Sequence, residues 1–167
     1  MDRLRRYLEV ATNAAIVAAC ILIAYVAVTR FILPQRSVSS ADGPHVGMAL
    51  NISAVDWGTS HQNIVLALST QCHFCSDSAP FYRKLMAAAQ AKRIAVVAVL
   101  PQTVDQDRVY LQALGLDIRF VQQMALSKID VVATPTVMLT DAKGITTGVW
   151  VGKLSDSAQA EVISKFQ

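Results

Sequence analysis

Charge is scarce in this chain. Only 16% of its 167 residues are Asp, Glu, Lys or Arg, against 53% that are hydrophobic. So large an apolar share excludes a chain that is disordered over most of its length. Cysteine is scarce as well. Three cysteines exclude a scaffold of several disulfides and a four-cysteine zinc site. The formal net charge of +3 arises within residues 1–36, where Arg3, Arg5, Arg6, Arg30 and Arg36 outnumber Asp2 and Glu9; residues 37–167 carry ten basic and ten acidic groups. A neutral main body excludes the basic surface that nucleic-acid binding needs, so no nucleic-acid partner is expected. The length allows one domain of ordinary size with an appendage.

The appendage is N-terminal. Residues 10–29 contain no charge, and Thr12, Asn13 and Thr29 are their polar members. A helix of about 20 residues spans about 30 Å, the thickness of a bilayer's hydrocarbon core. Arg3, Arg5 and Arg6 stand just before the run, and the positive-inside bias keeps them in the cytoplasm. The expected layout is a cytoplasmic stretch at 1–9, a single transmembrane helix at 10–33 and a tether at 34–45 rich in Ser, Pro and Gly. A domain at 46–167 follows on the periplasmic or extracytoplasmic side of the cell membrane. Two other readings stay open: a cleaved signal, and lipidation at Cys20 after Val17, Ala18 and Ala19. The apolar stretch Ile21, Leu22, Ile23 and Ala24 is a poor start for a mature lipoprotein.

Within the domain, apolar runs at 63–69 and 94–100 read as buried strands, and 136–140 and 146–151 as a hairpin turned at Asp141 to Gly144. Helical spacing marks 76–91 and 105–114, and Ser155 or Asp156 can cap a last helix through Phe166. Strand alternating with helix, then a hairpin and a helix, predicts an α/β domain with a mixed sheet.

The chemistry sits between the first strand and the first helix. Ser69, Thr70 and Gln71 lead into Cys72, His73, Phe74 and Cys75. A cysteine at a helix N-terminus faces unpaired backbone N–H groups, which favour its thiolate, the reactive form. Cys75, three residues on, can resolve a mixed disulfide made by Cys72. His73 adds a positive charge beside the pair when protonated. Two alternatives remain for this C-x-x-C: an inert pair, and a metal site built from Cys72, Cys75 and a histidine, as in copper delivery. Only His45, His61 and His73 are available, and none follows position 73. Ser76 stands where the haem-attachment motif needs His.

This region resembles the thioredoxin superfamily, and most closely its membrane-tethered, TlpA-like redoxin branch. The resemblance rests on Cys72-x-x-Cys75 after a strand, on Pro80 five residues past the second cysteine, on Thr134-Pro135-Thr136 before a strand, and on a closing hairpin at 139–152. It implies a three-layer thioredoxin-like fold with a mixed central sheet. It further implies a cis-proline at Thr134–Pro135 as the substrate-side loop, a helix-kinking Pro80, and thiol–disulfide exchange with protein substrates. His73 and Phe74 would tune the site. No cofactor is implied beyond the redox-active Cys72–Cys75 disulfide. A membrane-bound electron donor or acceptor is the implied second partner. The sequence departs from the family at four places: Gln71 replaces a frequent Trp, Leu66 the buried Asp of thioredoxins proper, Ser78 a frequent Glu of TlpA-like members, and His73-Phe74 is neither the Gly-Pro of thioredoxins nor the Pro-His of DsbA-type oxidants, which leaves the direction of electron flow open. No acid identifiable from sequence can therefore take the proton of Cys75.

Overall fold

The computed structural model describes residues 43–53 and 55–167. The expected membrane helix at 10–33, Cys20 within it, and most of the tether lie outside the described residues. Among the described residues no helix is long and apolar enough to cross a membrane.

In chain order the elements are β1 (Gln62–Ala67), α1 (His73–Asp77), α2 (Ala79–Lys92), β2 (Ala95–Leu100), α3 (Val104–Ala113), β3 (Phe120–Gln123), β4 (Thr136–Asp141), β5 (Thr146–Val151) and α4 (Asp156–Ser164). Single 3-10 turns form at Trp57–Thr59 and Leu126–Ile129. The strands make one mixed sheet in the order β3-β2-β1-β4-β5. β1, β2 and β3 run parallel, whereas β4 is antiparallel to β1 and β5 to β4.

Residue alternation along the central strands divides the core. Ile64, Leu66, Ala98, Leu100, Val137 and Leu139 face the helices, with Phe81, Leu85, Leu111 and Val162 opposite them. Val65, Ala67, Val97, Val99 and Met138 face the other way, against Leu50, Ile52, Ile129 and Val131. Both parallel crossovers step in the same direction, and right-handed connections therefore place α2 and α3 on one face. The outer layer of the second face is irregular chain and 3-10 turns. Its first segment is held along β5 by Gly47 N–H to Thr146 O (2.7 Å) and Thr146 N–H to Met48 O (2.8 Å).

Two elements differ from the sequence expectation. The strand β3 was not foreseen: it is short, half-exposed and contains Gln122 and Gln123, so no apolar run marks it. The free edge of β2 makes it a strand, pairing Val97 to Leu100 with Phe120 to Gln123. The helix expected at 76–91 is two helices. Ser78 (φ −85°, ψ 1°) ends α1 and opens α2. Pro80 stands in the first turn of α2 and has no N–H with which to continue the ladder of α1. The helix caps follow ordinary chemistry. Thr103 and Gln106 form a reciprocal capping box on α3, and Ser155 caps α4.

The hairpin between β4 and β5 turns at Gly144. Asp141 Oδ1 accepts the N–H groups of Lys143 (2.8 Å) and Ile145 (2.9 Å), and Gly144 adopts φ +75°. A Cβ there would stand 2.8 Å from the Trp57 indole. Gly144→Ala combines a left-handed backbone with that clash and is expected to lose about 1–3 kcal/mol of stability. Denaturant unfolding of the variant against the wild type checks this; an unchanged midpoint would mean that Trp57 moves aside freely.

Candidate active site

The loop after β1 is fastened before it reaches the cysteines. Gln102, just past β2, accepts from Thr70 N–H through Oε1 and donates to Ser69 Oγ through Nε2, both at 3.4 Å. Ser69 Oγ also accepts from Gln71 N–H at 3.3 Å. Cys72 then takes the N-cap of α1, where its Sγ accepts from Cys75 N–H at 3.3 Å. The Cys72 thiol lies 3.1 Å from the carbonyl oxygen of Thr134, to which it donates. Thr134–Pro135 is a cis peptide. Folding thus joins two segments 62 residues apart around one sulfur.

The two thiols occupy different environments. Cys72 is partly exposed and Cys75 is wholly buried. Burial works to raise the Cys72 pKa. The Cys75 thiol, the Thr134 side chain and the N–H groups of Cys75 and Phe74 outweigh it by hydrogen bonding, and the thiol falls below its ordinary value. Cys75 is pushed up to about 12, first by burial and then by its hydrogen bond with Cys72. One sulfur is primed as a nucleophile, and the other holds its proton.

His73 is highly exposed, and its Nε2 lies 3.4 Å from the Asp77 carboxylate one turn on. Asp77 also accepts from Lys153 Nζ at 2.9 Å, and this bond, together with the charges of His73 and Lys153, holds its carboxyl below the usual range. Lys153 follows Gly152, whose N–H donates to Pro135 O at 2.6 Å. The pair Asp77–Lys153 therefore ties α1 to the exit of β5, beside the Pro135 loop. Phe74 is 56% exposed, as is Val132, two residues before Thr134. Pro80 lies on the far side of Ser78 from the dithiol and shapes the helix path.

Several residues of the site escaped the sequence reading: Gln102, Asp77 and Lys153. Asp77 carried a signal, being four residues after His73 and so on the same helical face. The others come from separate elements, and nothing local marks them. Among the described residues no three His, Cys, Asp or Glu side chains are grouped to hold a metal ion.

The sequence matches no family model and no curated protein. Solved structures do match in three dimensions. The chain is similar to a thiol:disulfide interchange protein of the thioredoxin family from Chlorobium tepidum TLS, with a TM-score of 0.54 and 16% identity over 77% of this chain and 98% of that one. It is similar to StoA from Bacillus subtilis, with a TM-score of 0.51 and 15% identity over 64% of this chain and 84% of that one. The fold is thioredoxin-like. A thiol-disulfide isomerase from Corynebacterium glutamicum shares it, with a TM-score of 0.50 and 16% identity over 75% and 92% of the two chains. In this thioredoxin-like frame, the dithiol stands where the first parallel strand hands over to its helix.

The acidity of Cys72 can be tested against its neighbours. Thr134→Val removes one of the hydrogen bonds that favour the thiolate, so the Cys72 pKa should rise. The rate of iodoacetamide alkylation of a Cys75→Ser background, followed against pH, reads that midpoint. A midpoint unmoved by Thr134→Val would assign the shift to the side chain at position 75 and the backbone N–H groups.

Proposed function

We propose that this protein is a thiol–disulfide oxidoreductase that acts on protein disulfides through Cys72 and Cys75. The asymmetry of the two sulfurs carries the reading: an accessible thiol of lowered pKa beside the Thr134–Pro135 loop, backed by a buried thiol that keeps its proton. The names borne by the similar structures, interchange protein and disulfide isomerase, agree with it.

The Cys72 thiolate attacks one sulfur of a substrate disulfide. A Cys72–substrate disulfide forms, and the other substrate sulfur leaves with the electron pair as a thiolate. Cys75 then attacks Cys72, the Cys72–Cys75 disulfide forms, and the substrate leaves reduced. Run backwards, the same steps oxidise a substrate dithiol. Thr134 and Pro135 present backbone to the substrate beside Cys72, and Phe74 and Val132 give the peptide an apolar rim. His73 tunes the site through Asp77. The substrate's own sulfurs supply or take the electrons, so no further cofactor enters.

The domain would work outside the cytoplasm, tethered by the apolar segment 10–33 and recycled by a membrane-bound electron donor or acceptor. The charge pattern of residues 1–36 supports that placement. A membrane-impermeant maleimide applied to intact, mildly reduced cells or spheroplasts should label Cys72; labelling only after lysis would place the domain in the cytoplasm.

Redox titration of the full-length protein, with alkylation to count free thiols, tests the activity. A two-electron couple with a slope of about 30 mV per tenfold change is expected. A potential near the thioredoxin value of about −270 mV marks a reductant, and one near about −120 mV an oxidant. Thiols that stay reduced across this whole range would sink the proposal.

A further inference from the structure

Two segments form the walls beside the Cys72 sulfur, and they are held in different ways. One wall is the Thr134–Pro135 loop, which is braced from its own side. The hydroxyl of the buried Thr136 donates to Ala133 O at 2.7 Å, and Gly152 N–H donates to Pro135 O at 2.6 Å. Thr136 also pairs with Val151 across β4 and β5, so the loop and the exit of β5 are one piece. The other wall is α1, with Cys72 at its N-cap and Asp77 as its last residue.

Among the described residues, two polar bonds cross from α1 and its cap to the loop and the β5 exit. The Cys72 thiol donates to Thr134 O at 3.1 Å, and Lys153 Nζ donates to Asp77 Oδ2 at 2.9 Å. Together they close a ring. It runs from the Cys72 sulfur to the Thr134 carbonyl, through Pro135 to Gly152, along the chain to Lys153, across to Asp77, and back along α1 to Cys72.

The first of these bonds needs a proton on Cys72, and the proposed reaction removes that proton. A thiolate has nothing to donate, and neither has a sulfur bonded to another sulfur. The bond through Lys153 contains no reacting atom, so the chemistry at Cys72 leaves it in place. Its acceptor is steadied from a second side, because His73 Nε2 lies 3.4 Å from Asp77 Oδ1.

We propose that Lys153 is a positioning residue, a strut that acts through Asp77 to hold α1 and the Thr134–Pro135 loop at their spacing while Cys72 is a thiolate or is bonded to substrate. The inference rests on the thiol–disulfide reading above. A polypeptide needs that spacing, since it must reach the sulfur and lie against the loop backbone at the same time. A small disulfide needs only the sulfur. The groups that set the acidity of Cys72 are Cys75, Thr134 and the N–H of Phe74, and neither Lys153 nor Asp77 is among them. The strut therefore holds geometry and leaves the thiol's acidity alone. The side chains of Lys153 and Asp77 are 50% and 31% exposed. Pairs so exposed add little to global stability, so the effect belongs in the cleft and not in unfolding.

The test uses the full-length protein carrying Cys20→Ser and Cys75→Ser, a background in which Cys72 is the remaining cysteine. Two neutral probes with the same leaving group are compared: 2,2′-dithiodipyridine, and a short uncharged peptide whose cysteine bears a thiopyridyl disulfide. The Cys72 thiolate attacks the peptide sulfur, or either sulfur of the symmetric probe. A Cys72 disulfide forms, the probe's own S–S bond breaks, and thiopyridone leaves with the electron pair and is read by absorbance. Release from the peptide should saturate. Lys153→Met should raise the half-saturating peptide concentration about two- to fivefold, the range of an exposed charge pair. The limiting rate, the small-probe rate, the alkylation midpoint of Cys72 and the urea midpoint should stay at the background values. Lys153→Arg, which keeps the pair, should keep the background half-saturation as well. Asp77→Asn should raise it like Lys153→Met, and the double variant no further, because both substitutions break one bond.

An unchanged half-saturation in Lys153→Met, additive effects of the two substitutions, or peptide release without saturation would each overturn the strut while leaving Cys72 a nucleophile. A urea midpoint that falls in step with peptide affinity would make Lys153 a stabilising residue only, and would overturn it too. If the background protein releases thiopyridone from neither probe, Cys72 does not attack disulfides, and the thiol–disulfide reading falls together with the strut.

Discussion

Cys75→Ser should turn the protein into a trap. With the resolving thiol gone, the mixed disulfide made by Cys72 has no internal way out, and the partner stays attached through a bond that only added thiol removes. Non-reducing electrophoresis of cells expressing the variant should show adducts that collapse on reduction. Cys72→Ser should show none, because the remaining sulfur is wholly buried and its pKa is pushed up to about 12. At neutral pH such a thiol is almost entirely protonated, so loss of Cys72 should reduce turnover of a disulfide substrate by a factor of 1,000 or more. The asymmetry is the test. If the two serine variants trap equally, or neither traps, the division of labour between the sulfurs is wrong. A metal carrier would instead lose bound metal in both variants and trap nothing.

The second large effect concerns stability, at Asp107. This residue is 0% exposed on α3, and neither carboxylate oxygen has a hydrogen-bond partner. Burial raises its pKa from 3.8 to about 6. The sign follows from linkage. Between those two values the folded state keeps a proton that the unfolded chain has released. The contribution of Asp107 is thus most favourable below pH 3.8, declines as pH rises, and levels off above about 6. At neutral pH the folded protein holds an unpaired buried charge, at a cost of about 3 kcal/mol. Asp107→Val keeps a similar volume without the charge, so it should stabilise the protein at pH 7 by about that amount and flatten stability between pH 4 and 6. Asp107→Asn should also remove the pH dependence, with a smaller gain, because a buried amide still lacks partners. Urea unfolding at several pH values measures both. A valine variant less stable than wild type at pH 7 would mean that the carboxylate has a favourable partner after all.

Much of the architecture was legible from the residues. The apolar runs that became β1, β2 and β4 are continuous because these strands are covered on both faces, and continuous burial writes itself into composition. Ser155 marks the start of the last helix by local hydrogen-bond chemistry. Cys72-x-x-Cys75 between a strand and a helix announced the dithiol, since spacing along one chain sets whether two sulfurs can meet. Features whose cause is local were read correctly because their cause is in the local sequence.

The remaining features depend on what comes close in space. Phe120–Gln123 is a strand because β2 offers an open edge, and its residues carry no strand signal of their own. Thr134 lies 62 positions from Cys72, yet its carbonyl and the sulfur are 3.1 Å apart. Lys153 and Asp77 meet across 76 residues. Asp107 and Tyr82 look in the sequence like an ordinary first-turn acid and an ordinary amphipathic aromatic. Only the closure of α2 and α3 over one face of the sheet buries them, and burial is what raises a carboxyl and leaves a phenol without a partner. The sequence by itself determined the apolar strands β1, β2 and β4, the closing hairpin and the spacing of the two cysteines. The tertiary structure decided how acidic each sulfur is and what surrounds it, because desolvation and hydrogen bonding act over a few ångströms of space, whatever the distance along the chain.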